Sequence, residues 1–104
     1  MTEITTARHG QTLEISFNRP EKMNAITRAM YAGLTTNLNE AAGDFGIRCV
    51  VLTSQGDHFT SGNDIGDFMS NPPTESDSDV AKFLGALLDF PKPLLAAVKG
   101  NAIG

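Results

Sequence analysis

Four consecutive apolar residues, Cys49-Val50-Val51-Leu52, stand inside a short β-branched run at 47–53. A strand that is apolar on both faces is one that is covered from two sides, so this run predicts a sheet with layers packed against it. A second apolar run at 94–98 predicts another strand of the same kind. Earlier in the chain the pattern changes. Residues 12–17 alternate polar with apolar and place Leu13, Ile15 and Phe17 on one face, as a half-buried strand requires. Residues 4–8, joined to them through His9-Gly10, read as the other arm of a hairpin.

Helical periodicity fills the gaps. Asn18-Arg19-Pro20 ends the second strand, because proline offers a ladder no donor, and 21–25 is expected as a loop. Thr27 suits an N-cap, and Met30, Leu34, Leu38 and Ala41 recur at four, four and three residues along one helix face until Gly43. Val80, Phe83, Leu84, Leu87 and Leu88 trace a second amphipathic helix, stopped by Pro91 and Pro93. A brief helix is expected at 64–69, and the polar, Pro-broken stretch 70–78 reads as a mobile loop. Strand, helix, strand, helix, strand implies right-handed crossovers and a partly parallel, helix-covered sheet, which is an α/β fold. In 104 residues there is room for one domain at most.

Charge and cysteine content exclude several roles. Eight Lys plus Arg against twelve Asp plus Glu give net −4, without the basic footprint that nucleic acid demands. Residues 49–81 hold six acidic groups and no basic ones, which reads as a solvated surface. With Cys49 as the one cysteine, neither a disulfide framework nor a Cys-rich zinc site can be built within the chain, and no metal is expected. Cys49 itself reads as a core residue, with Arg48 directed to the opposite face. The apolar runs are too short to span a bilayer and the N-terminus shows no signal-peptide pattern, so no membrane and a cytoplasmic location are expected.

The stretch that can carry chemistry is His58-Phe59-Thr60-Ser61-Gly62-Asn63-Asp64-Ile65. It leaves a buried strand and enters a helix, so N–H groups near Asn63 are placed where a helix leaves donors unpaired. Gly62 permits a sharp turn and close approach of a ligand. Such donors suit an oxyanion hole, each worth roughly 2.7–4 kcal/mol when charge develops on a carbonyl oxygen. The same residues also suit an ordinary strand-to-helix turn with Asn63 or Asp64 as the cap. Asp57-His58 reads as a surface pair more readily than as an acid/base couple, His9 is expected to face solvent, and Asp64 with Asp67 reads as helix-start acids.

Three motifs in order, Asn18-Arg19-Pro20-Glu21-Lys22-Met23-Asn24-Ala25, Phe59-Thr60-Ser61-Gly62-Asn63-Asp64-Ile65 and the 91–104 stretch from Pro91-Lys92-Pro93 to Ala102-Ile103-Gly104, cover nearly the whole chain and resemble the crotonase superfamily of enoyl-CoA hydratases and isomerases. The resemblance implies a crotonase-like spiral of ββα units, of which 1–104 is an incomplete N-terminal part. It implies an enzyme that binds acyl-CoA thioesters and stabilises their enolate with two backbone N–H groups. No cofactor is implied, since the CoA thioester is the substrate. It places the first donor on the backbone of Asn63 and lines the CoA with Lys22, Met23 and Ala25 on one side and Ser61, Gly62, Asn63, Asp64 and Ile65 on the other. Lys22 would also reach a phosphate, although a solvated loop lysine fits that position as well. A homo-oligomer, trimer or hexamer, is implied too.

Departures from the family pattern qualify the expected activity. Asp57-His58 stands where many similar hydratases carry a basic residue, which removes one phosphate contact. Asn63-Asp64 and the continuation Phe68-Met69-Ser70-Asn71-Pro72-Pro73 resemble the Δ3,Δ2-enoyl-CoA isomerase branch. The family's second donor falls one position past Gly104, and its acid/base carboxylates further on. Hydration of a 2-enoyl-CoA by the full-length protein is therefore the first expectation, double-bond isomerisation the second, and a non-catalytic truncated fragment the third; the 104 residues alone are expected to be inactive.

Overall fold

The computed structural model describes residues 3–70 and 78–103. Strands β1 (Ile4–His9) and β2 (Thr12–Phe17) form the expected antiparallel hairpin, paired from Ile4 with Phe17 to His9 with Thr12. The chain then crosses through α1 (Arg28–Gly43) to β3 (Cys49–Ser54), which lies parallel to β2. Two further helices, α2 (Ile65–Ser70) and α3 (Asp79–Asp89), precede β4 (Leu94–Ala96), parallel to β3. The sheet order is β1-β2-β3-β4. The expected alternation of strands and helices and the partly parallel sheet are both present, while the 70–78 loop lies largely outside the described residues.

Helix α1 supplies most of the core. Thr27 caps it by accepting from Met30 N–H, and Met30, Leu34, Leu38 and Ala41 are all at most 1% exposed. Met30, Leu34 and Leu38 each contribute about 1.5–3 kcal/mol by leaving water, and the smaller Ala41 less. They meet Ile15 and Phe17 of β2 and Val50 of β3 in one cluster. Tyr31, next to Met30 on the same helix, is buried as well. Its phenol is a polar handle the apolar repeat does not reveal.

Three expectations need correction. Residues 21–25 are not a plain loop: Pro20–Lys22 form a 3-10 turn, closed by Met23 and Asn24 in left-handed backbone at φ 52 and 57. Only Val50 of the β3 run is fully buried, its neighbours being half-covered. The apolar 94–98 run is a three-residue strand, with Leu95 57% and Val98 53% exposed. It pairs with β3 along one edge, with Leu94 packed against the core cluster and Leu95 and Ala96 exposed.

Candidate functional site

Residues 58–64 run between two other segments and bond to both. On one edge Ser61 N–H donates to Met23 O, Ile26 N–H donates to Gly62 O at 2.8 Å, and Asp64 N–H donates to Ile26 O at 2.9 Å. On the other edge Phe59 N–H reaches Lys99 O, Thr60 N–H reaches Asn101 O, and Ile103 N–H returns to Thr60 O at 3.1 Å. The two parallel bridges, Ile26 with Asn63 and Thr60 with Ala102, define this three-segment patch.

The position of the Asn63 N–H follows from that pairing. In extended backbone, successive peptide groups face opposite edges. Gly62 C=O and Asp64 N–H both face Ile26, so the Asn63 N–H between them faces the other edge, on the side of residues 99–103. No acceptor for it is present among the described residues. Gly62 makes the turn at φ +97, and a Cβ there would lie 3.2 Å from Ile103 O. A side chain would thus strain the backbone and crowd the neighbouring segment.

Helix α2 contributes less than the sequence implied. It has six residues, and Asn63 lies before its cap rather than in its first turn. Asp64 is the cap, its Oδ1 accepting from Asp67 N–H at 2.9 Å. The Asn63 donor is therefore set by bridge geometry, not by a helix terminus. Asp67 acts elsewhere, with its Oδ2 accepting from Arg28 N–H at the start of α1.

A buried polar frame holds the patch. Asn24 is 1% exposed, and its amide accepts from Arg19 N–H and donates to Gln55 O and His58 O, all at 2.8 Å. Thr60 Oγ1 donates to Asn24 O at 2.7 Å and accepts from Gly62 N–H at 3.1 Å. Arg19 Nη1 donates to Asp64 Oδ2 at 2.7 Å and to Ala25 O at 3.0 Å, while its Nε faces Glu3 Oε2 at 3.1 Å. The Asp67 N–H, and then the Arg19 guanidinium, hold the Asp64 carboxyl below the usual carboxylate range. Tyr31 OH donates to Asn63 Oδ1, and burial raises the phenol's pKa, so the ring remains a protonated donor. Phe83 of α3 lies against Tyr31 with ring centroids 5.2 Å apart.

All the residues expected to line a ligand fall on this patch or its rim. Lys22, Met23, Asn63 and Ile65 are exposed, Ala25, Ser61 and Asp64 are half-buried, and Gly62 is buried. Arg19, Asn24, Thr60 and Tyr31 were not singled out by spacing, since their partners lie up to 45 residues away. His9 is solvent-facing, paired with Glu14 at 2.8 Å. His58 is not an acid/base partner of Asp57; its Nδ1 accepts from Asn101 N–H at 3.0 Å. Cys49 is half-buried, with Thr12 Oγ1 3.2 Å from its sulfur. Among the described residues no cluster of His, Cys, Asp or Glu is arranged to hold a metal ion, and no helix is long and apolar enough to cross a membrane.

Known proteins share both the sequence and this arrangement. The family model described as enoyl-CoA hydratase/isomerase matches residues 8–104. Human enoyl-CoA delta isomerase 2 is 40% identical over 110 residues, which cover 99% of this chain and 27% of that protein. The 2,3-dehydroadipyl-CoA hydratase of Escherichia coli K12 is 33% identical, with 100% of this chain and 41% of that one covered. The solved structure of Pseudomonas aeruginosa OdaA superposes with a TM-score of 0.93 at 47% identity, covering 100% of this chain and 42% of its own. The chain thus spans well under half the length of these relatives. The mixed sheet and helices match part of a crotonase-like fold, and the chain belongs to the enoyl-CoA hydratase/isomerase family.

Proposed function

We propose that the whole protein binds an acyl-CoA thioester and stabilises its enolate during hydration of a 2-enoyl-CoA, with the backbone N–H of Asn63 as one of the donors. The observation that carries this reading is the Asn63 N–H, turned away from Ile26 and left without an acceptor among the described residues. A main-chain donor fixed at both neighbouring peptides needs little reorganisation when a thioester oxygen gains charge. Lys22, Met23 and Ala25 on one rim, and Ser61, Gly62, Asp64 and Ile65 on the other, are the proposed CoA contacts. The thioester is substrate, so no separate cofactor enters the scheme.

Double-bond migration between the 3 and 2 positions is the second reading. It is favoured by the delta isomerase named among the relatives and by Asn63-Asp64, whose side chains are tied to Tyr31 and Arg19. Both reactions place negative charge on the thioester oxygen, as a 3-hydroxy enolate after water adds at C3 in hydration and as a dienolate after C2 loses its proton in isomerisation, and they differ in the groups that move protons. In this proposal 1–104 is the N-terminal part of a longer crotonase-like domain. The protein works as a cytoplasmic trimer or hexamer in fatty-acid metabolism, and the 104 residues alone are a non-catalytic fragment.

The test is to supply the intact protein with crotonyl-CoA and, separately, with a 3-enoyl-CoA, and to follow absorbance. Loss of the conjugated enoyl signal from the first substrate supports hydration, and its appearance from the second supports isomerisation. Conversion of neither overturns both.

A further inference from the structure

We propose that His58 is a positioning residue for the anion site, and that its ring must be neutral to hold residues 99–103 in register. The inference rests on the proposed function for its activity readout and on the pairing geometry for everything else.

A regular parallel ladder continued back from Thr60 would give the Asn101 N–H to the carbonyl of residue 58. That carbonyl is already taken, accepting from Asn24 Nδ2 at 2.8 Å. The register also shifts, since Phe59 rather than His58 donates to Lys99 O. The Asn101 N–H goes instead to the His58 ring, 3.0 Å from Nδ1. The side chain replaces the missing rung. Gly100 shows how close the two segments run, as a Cβ on it would collide with Asp57 O and lie 2.6 Å from His58 Nδ1, at a φ of +62.

Nδ1 can accept only while it carries no proton, which fixes the neutral ring with its hydrogen on Nε2. A ring carrying a proton on Nδ1 would point an N–H at the Asn101 N–H. Residues 99–103 would lose the tie at Asn101 and, among the described residues, be held to this segment by Phe59 and Thr60 alone. The charged groups on the segments packed around the ring are Asp57 beside it, Lys99 across from it, and Glu21 and Lys22 on the 3-10 turn that carries Asn24. Among the described residues none of these forms an ion pair with His58.

The experiment compares His58→Ala and His58→Asn in the intact protein, reading kcat and KM with whichever enoyl-CoA the wild type converts, and hydrogen exchange at the Asn101 amide. Asparagine places a non-titrating oxygen near the Nδ1 position. His58→Ala is expected to lower kcat about tenfold at neutral pH, the scale of one lost hydrogen bond, with KM changed less than about twofold. His58→Asn is expected to restore turnover, because its side-chain oxygen can accept from the Asn101 N–H. An alanine variant with wild-type kcat, or an asparagine variant that turns over no faster than the alanine variant, overturns the proposal. If the wild type converts no enoyl-CoA the functional reading fails, and exchange alone decides. Faster Asn101 exchange in His58→Ala, reversed in His58→Asn, sustains the positioning role, and unchanged exchange refutes it.

Discussion

Asp64 serves two partners with one carboxylate. Oδ1 caps α2 through the Asp67 N–H, and Oδ2 takes the Arg19 guanidinium. Both partners favour the ionised form, so the folded pKa lies below the ordinary 3.8. A carboxyl depressed by folding adds stability that is complete above its unfolded pKa and is lost as pH falls through the folded value. The acid limb of the protein's stability should therefore contain an Asp64 contribution below about pH 4. Urea midpoints of the intact protein, measured from neutral pH into acid, should fall less steeply for Asp64→Asn than for wild type, from a lower starting value at neutral pH. Parallel acid limbs would remove Asp64 from this account. The sequence announced Asn63 or Asp64 as a cap because a capping side chain and the N–H that donates to it are only two or three residues apart. It did not announce Arg19 or Asn24, because each binds groups 31 to 45 positions away, and no local rule reports such a contact. Asn24 is the clearer case: a polar residue in left-handed backbone reads as a turn, yet its amide is fully buried and fully bonded.

Helix α1 shows the same division at the scale of an element. Its start, its buried face and its end were legible from Thr27, the Met30 to Ala41 repeat and Gly43. How its last carbonyls are satisfied was not. Lys92, between two prolines that read only as a helix stop for α3, places its ammonium against Ala41 O, Asp44 O and Ile47 O, the last two at 2.7 Å. Three donors meet three carbonyls, and the positive charge sits at the negative end of the helix. Lys92→Met keeps the aliphatic stem and strips the cap, so the intact protein should lose about 1.5–3 kcal/mol, the range for hydrogen bonds from a charged group. Lys92→Arg should recover little of this, because a planar fork does not converge on three carbonyls as a tetrahedral ammonium does. Chemical unfolding of both variants measures the two losses, and an arginine variant as stable as wild type would show that charge alone suffices. The β4 run marks the opposite limit of legibility. Its composition identified a strand, but composition reports what a segment can bury and not what packs on it.

At the scale of the whole molecule the apolar surface is divided along the chain. Among the described residues every buried hydrophobic residue lies between Ile4 and Val50, whereas Ile65, Met69, Leu84, Leu88, Leu95, Val98 and Ile103 are all more than half exposed, with Phe45 the one fully exposed exception in the earlier part. Single exposed leucines are ordinary on a soluble protein; seven large apolar side chains within the later part of a small chain are not. The N-terminal hairpin, α1 and β3 close a core of their own, while α2, α3 and β4 present apolar side chains to solvent. The hydrophobic effect is proportional to the area left in contact with water, so the 104 residues prepared alone should hide that area by associating. Light scattering should show species larger than a monomer at micromolar concentration, and a dye that fluoresces in apolar environments should bind. Replacing Leu84 and Leu88 by lysine should shift both readings toward the monomer, since these positions are 53% and 87% exposed and do not support the buried cluster. A monodisperse monomer that leaves the dye dark would show that the exposed side chains of the later half are satisfied in water as they stand.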